Sequence, residues 1–258
     1  MKQSFSQKHP YTSAFLIGLL CVFMTALGTA IPQIIRLDVD AQLVVTTIFL
    51  IISIAIGIFI MKKSRFTFSD YGFQKRKKDT DKKVWWYIPL LVIEILPIVS
   101  AGFSSEVTVF QYIILFFFTV AVGFNEEIYF RGLAFKAMEE KGRKQAIIWT
   151  SVIFGVLHLI NALNNKDVLY LILQMFFALL VGFVLAEIVS ISRSLWVVIL
   201  WHAAHDYIAS VTGEVLDTTA LLILAIQVGI LLVYAVYMWK RSIVDDKITL
   251  DVTKDTSF

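Results

Sequence analysis

The sequence predicts an all-α fold: a polytopic membrane helix bundle of about eight transmembrane helices with both termini cytoplasmic. Three observations predict it. First, 58% of the 258 residues are hydrophobic and 17% are charged, against roughly 45–50% and about 25% in a soluble domain. Second, the excess lies in long uninterrupted runs, and a spanning helix needs about 20 mostly apolar residues. The stretches 11–35, 43–61, 85–103, 107–125, 146–163, 168–189, 194–211 and 219–239 reach or approach that length. Third, the short polar connections alternate in charge.

The first run follows Lys2 and Lys8 like the core of a signal peptide. Its apolar length exceeds the roughly 7–15 residues of a signal h-region, so an uncleaved first helix is expected. Cys21, the single cysteine, lies inside it. Leu19 and Leu20 precede it where a lipoprotein acceptor wants a small residue, and one thiol builds no disulfide framework. An inert buried thiol is expected.

Lys and Arg favour cytoplasmic loops. The connection after the second run holds Lys62, Lys63, Arg65, Lys75, Arg76, Lys77, Lys78, Lys82 and Lys83. The one after the fourth holds Arg131, Lys136, Lys141, Arg143 and Lys144; Arg193 follows the sixth, and Lys240 and Arg241 follow the eighth. The opposite connections carry Asp38 and Asp40, then Glu106, then Lys166 with Asp167, then Glu214 and Asp217. This alternation suits a multi-pass protein of a cell membrane, and the Ile-, Leu-, Lys- and Phe-rich composition suits a bacterial cytoplasmic membrane. The bilayer is the expected partner of the basic loops, and nucleic acid is not expected. Phe66, Phe68, Tyr71 and Phe73 in the loop 62–84 suit an interfacial segment at the headgroups. Residues 126–145 are read as a helical extension of the fourth run with a turn at Gly142, and residues 240–258 as a short mobile tail.

Ionisable groups inside a bilayer are expensive and are functional candidates by default. Three clusters carry them. The first is Asn125-Glu126-Glu127-Ile128-Tyr129-Phe130-Arg131-Gly132. Neighbouring helical residues point about 100° apart, so the two carboxylates diverge. Glu127 and Arg131 are i,i+4 neighbours and can pair, which leaves Glu126 without a partner on its own helix. A poorly solvated carboxylate gains basicity, as a general base for water needs. The bland alternative is a charged cap at the membrane surface. The second cluster is Phe154 with His158, also i,i+4; a lone His is commonly structural, yet this one can share a water with Glu126. The third is His202-Ala203-Ala204-His205-Asp206. His202 and Asp206 share a face, and the alanines permit close helix approach. Asp206 is expected to orient His202, leaving His202 to stabilise an oxyanion. His205 is assigned to helix packing or to support behind the site. Glu94 beside Pro97, Gln174 and Glu187 have no matched spacing and are read as structural or interfacial. Phe154 to His158, followed by Asn161, faintly echoes Trp201-His202, followed by His205 and Asp206.

Taken in order on successive apolar segments, Glu126-Glu127-x-x-x-Arg131, Phe154-x-x-x-His158 and His202-x-x-x-Asp206 resemble the CAAX-protease and bacteriocin-processing family, also called the Abi family of intramembrane proteases. No one motif is specific; the ordered three are. The resemblance covers about residues 85–211. It divides the chain into 1–84, two spans plus the basic loop; 85–211, the protease-like core; and 212–258, the last span and tail. It implies a helical endopeptidase with a conical cavity opening toward the cytoplasm. Glu126 and His158 would activate water, His202 and Asp206 would hold the oxyanion, and Glu127, Arg131 and Phe154 would support them. No cofactor is expected from the glutamate-type members; Glu126, His158 and His202 also form a possible zinc set. Members that trim prenylated proteins carry Asn where this chain has Asp206, and Asn can donate to an oxyanion whereas an ionised Asp cannot. This weakens a prenylated substrate and leaves peptide hydrolysis standing.

The expected function is an intramembrane endopeptidase acting on a peptide or protein substrate in or at the membrane, in bacteriocin maturation, self-immunity or peptide signalling. Two other classes compete. A non-proteolytic factor of the same fold, for immunity or lipoprotein modification, would tolerate loss of Glu126. A transporter would show broken helices with Gly or Pro in matching halves; Pro32, Pro89 and Pro97 crowd one half.

Overall fold

A computed structural model describes residues 5–76, 79–164, 167–212 and 217–255. Lys2, Lys77, Lys78, Lys166 and Glu214 lie outside them. Every apolar run is a helix: α1 (Pro10–Ile34), α2 (Val39–Lys63), α3 (Ile88–Ala101), α4 (Val109–Glu127), α5 (Arg143–Leu157), α6 (Val168–Ser192), α7 (Trp196–Thr212) and α8 (Thr218–Asp255). Among the described residues, all regular elements are helical. Six are long and apolar enough to cross a membrane: Pro10–Ile34, Val39–Lys63, Val109–Glu139, Arg143–Ala162, Val168–Ser192 and Thr218–Lys240. The remaining two, α3 and α7, have 14 and 17 residues, below and at the lower bound of about 17 for a spanning helix. By length and composition six helices qualify as candidate spans, against the about eight expected.

Local chemistry sets the helix ends. The Asp38 carboxylate accepts from Ala41 N at 2.9 Å, and Asp167 accepts from Leu169 N at 2.7 Å. Thr108 and Gln111 form a capping box. Two acids counted as loop charges are thus helix caps. Inside the bundle, hydroxyls return their hydrogen bonds to the preceding turn: Thr25 to Cys21 O, Thr150 to Ala146 O, Ser151 to Ile147 O. Such internal satisfaction is what a bilayer demands. The outer faces expose large apolar side chains, among them Phe59, Val99, Phe117 and Leu200.

Two ends of the bundle are distinguishable. Gln7 and Arg65 both meet Glu140, and Arg193 meets Glu139, which gathers the amino terminus and the basic connections at one end. At the other, Gln111 Nε2 donates to Asp40 at 3.0 Å and Ser104 N to Val211 O at 2.8 Å. At the basic end, the loop after α2 is clamped onto the α6–α7 turn. Leu195 N donates to Gly72 O at 2.9 Å, Ser194 Oγ to Gln74 O at 2.8 Å and Gln74 Nε2 to Arg193 O at 3.0 Å. Hydrogen bonds from the Thr67 hydroxyl and amide hold the Asp70 carboxyl below its usual range. The aromatics expected at the headgroups mostly turn inward. Tyr71 is buried against Phe66, and Phe73 packs edge-on against Trp196; Phe68 remains exposed. The tail expected to be mobile continues α8 as helix to Asp255.

Candidate active site

The site begins at a close helix crossing. A Cβ on Gly123 of α4 would stand 3.0 Å from both Ala203 N and Ile199 O of α7, so the missing side chain sets how near the two backbones come. One turn on, α4 delivers Glu127 against His202. From Ile128 to Ala134 the helix widens into a π-helix whose residues are all buried, a device common where a helix must present side chains for function. Tyr129 anchors this stretch by donating to Ser53 O of α2 at 2.9 Å. Asn125, fully buried, donates to Cys21 Sγ of α1 at 3.2 Å, so the thiol has a partner.

Glu127 is fully buried, and its Oε1 accepts from Arg131 Nη1 at 2.9 Å and from His202 Nδ1 at 2.7 Å. A carboxylate that already holds a guanidinium is acceptor-only, so the imidazole donates. The Arg131 guanidinium lies 4.2 Å over the Phe154 ring, a cation–π contact. The same ring meets His158 at 4.5 Å and His202 at 6.1 Å, both edge-on. Phe154 thus joins the three motifs. A Cβ on Gly155 would stand 2.6 Å from Leu179 Cβ and 2.9 Å from Leu179 Cα, so α5 presses on α6 beside this ring.

The other edge of His202 faces a cavity. Its Nε2 stands 3.6 Å from Glu126 Oε2 and 3.7 Å from Asp206 Oδ2, ion-pair distances rather than hydrogen bonds. Glu126 Oε2 has no hydrogen-bond partner. His158 Nδ1 sits 2.8 Å from Phe154 O. A carbonyl only accepts, so Nδ1 carries the hydrogen and the neutral ring keeps its lone pair at Nε2. Glu126, His158, His202 and Asp206 line one cavity of about 430 Å³, with Asn161 and Gln174 in its wall, the latter two hydrogen-bonded at 3.0 Å. Glu127, Arg131 and Phe154 lie behind that wall.

This geometry revises four expectations. The carboxylate on His202 Nδ1 belongs to Glu127; Asp206 approaches Nε2 instead. Glu94, read without a matched partner, has one in His205, whose Nδ1 stands 3.0 Å from Glu94 Oε1, a pair separated by 111 residues that no helical spacing signals. Glu187 is buried completely rather than placed at a surface. The cavity also lies away from the basic end. Its lining includes Thr25 and Thr29 late in α1, Thr46 early in α2, Phe118 in the first half of α4, and Ser210 late in α7. These belong to the end marked by Asp40, Ser104 and Val211. If the basic loops are cytoplasmic, the cavity faces away from the cytoplasm, so the two sequence expectations exclude each other in this structure. Among the described residues, no three His, Cys, Asp or Glu are gathered so as to hold a metal ion. Glu126, His158 and His202, the zinc set considered from the sequence, all line the one cavity.

Half-buried Glu126, His158 and Asp206 and buried His202 thus gather around one cavity inside a helical bundle. Residues 108–208 match the family model of type II CAAX prenyl endopeptidases, Rce1-like. That segment bears all three motifs, and it spans 101 of the 258 residues. No curated protein matches the chain.

Proposed function

We propose that the protein is an intramembrane endopeptidase in which Glu126 activates water and His202 stabilises the oxyanion. One observation carries the reading: Glu127 takes Nδ1 of His202, which turns Nε2 into the cavity beside Glu126 and Asp206. Water held between Glu126 and the Nε2 lone pair of His158 gives a proton to Glu126 and attacks the scissile carbonyl. The oxyanion accepts a hydrogen bond from protonated His202 Nε2. The C–N bond then breaks, and Glu126 returns the proton to the leaving amine. Asp206 flanks the oxyanion position, and its protonated form is a second donor. Buried Glu127 and Arg131 neutralise one another and hold the imidazole in register.

The rule that Lys- and Arg-rich loops stay in the cytoplasm orients the cavity outward, which suits a membrane-bound or leader-bearing peptide met on the far side of a bacterial membrane. Bacteriocin maturation, self-immunity and peptide signalling are processes with such substrates. The test is cleavage of a membrane-peptide library by the full chain and by Glu126→Gln, read by mass spectrometry: hydrolysis by the unsubstituted protein alone supports the reading, and equal hydrolysis by both overturns it.

A further inference from the structure

A second cavity of about 610 Å³ adjoins the first, and Tyr170, Phe177, His205, Ala209 and Leu224 line both. His205 is the partition. Its ring is stacked on Trp201 at 5.0 Å and 16° and on Phe177 at 5.5 Å and 25°, which fixes its plane. Glu94 of α3 takes its Nδ1 through Oε1. The second carboxylate oxygen, Oε2, is buried and has no hydrogen-bond partner, although Glu94 is only 7% exposed. A buried carboxylate with an unmet acceptor is costly where water is scarce. Asp217 also lines this chamber, no Lys or Arg does among the described residues, and much of the remaining wall is apolar: Pro97, Ile208, Ile223, Leu224. The chemistry that completes such a site is a cationic donor on an apolar stem.

Resting on the peptidase reading, we propose that this chamber is a specificity subsite for the peptide substrate, taking a lysine- or arginine-type side chain whose charged head meets Glu94 while its stem packs on the apolar wall. A chain lying across Glu126 and His202 reaches the chamber past His205, so the recognised residue lies close to the scissile bond.

The probe is a fluorescent apolar 12-residue peptide carrying one lysine, scanned along its length, with norleucine and glutamate counterparts. Binding is measured to full-length Glu126→Gln in nanodiscs, which removes hydrolysis, and cleavage is measured with the unsubstituted chain. At the preferred position lysine should bind about tenfold more tightly than norleucine, and glutamate more weakly than either. Adding Glu94→Gln, which retains an acceptor for His205, should erase the lysine advantage and leave norleucine binding unchanged. Equal binding of the lysine and norleucine peptides at every position, or a lysine advantage that survives Glu94→Gln, overturns the subsite. So does parallel loss of both peptides in Glu94→Gln and in a second variant, Glu94→Met, because a structural role alone would do that. Discrimination in binding without cleavage would leave the subsite standing and sink the peptidase reading; cleavage indifferent to lysine would do the reverse.

Discussion

Glu127 Oε1 accepts from His202 Nδ1 at 2.7 Å across the α4–α7 crossing, while the adjacent Glu126 faces Nε2 of the same ring at 3.6 Å. Two neighbouring carboxylates that diverge on their helix thereby meet the two edges of one imidazole. One is sealed behind the cavity wall and paired with Arg131; the other lines the cavity. This division of labour gives the two acids of the first motif different sensitivities.

Glu127→Ala leaves Arg131 as a buried charge with its carboxylate gone. Breaking a buried pair from one side costs about 3–5 kcal/mol, so the variant should unfold at markedly lower temperature in a detergent melt and lose activity. Glu126→Gln should melt within a few degrees of the unsubstituted protein. Equal melting of Glu127→Ala and Glu126→Gln would remove the structural role given to Glu127.

Asp206 is assigned as a donor beside the oxyanion, because Glu127 already orients His202. Asp206→Asn keeps a donor and should retain most of kcat, whereas Asp206→Ala should lose about 10²-fold. Equal loss in Asp206→Asn and Asp206→Ala would show that the carboxylate acts by its charge instead.

Gly123→Val places side-chain atoms against Ala203 N and Ile199 O, which are backbone and cannot swing away. Overpacking of this kind costs about 1–3 kcal/mol, and separating α4 from α7 should lengthen the Glu127–His202 bond. Activity should fall by more than stability alone explains, measured as kcat at a temperature well below the melt. A fully active Gly123→Val would show that the crossing does not position the site.

Orientation is testable in intact cells. Gln33→Cys and Asp206→Cys should react with a membrane-impermeant maleimide added outside, and Lys141→Cys only after permeabilisation. Reaction of Asp206→Cys only under the conditions that label Lys141→Cys would place the cavity at the basic end.

Within single helices the sequence was legible. The i,i+4 spacing of Glu127 and Arg131 is a real buried pair, and Phe154 and His158 do meet, edge-on. Between helices it was not. Periodicity tells which face a residue occupies, not which face it meets. His202 therefore was matched with Asp206 on its own helix rather than with Glu127, 75 residues away, and the Glu94–His205 pair went unread. The π-helical widening after Glu127 has no period of its own in the sequence. Apolar composition also continues past the end of the hydrogen-bonded helix at α3, which stops at Gly102 with φ +67°.

Glu126 is proposed to activate water without the help of a metal. The most direct measurement is hydrolysis of a membrane-peptide library by the full chain and by Glu126→Gln, each with and without a chelator. The account predicts cleavage by the unsubstituted protein that survives chelation and is absent in Glu126→Gln. Equal cleavage by both proteins, or cleavage abolished by the chelator and restored by zinc, would contradict it.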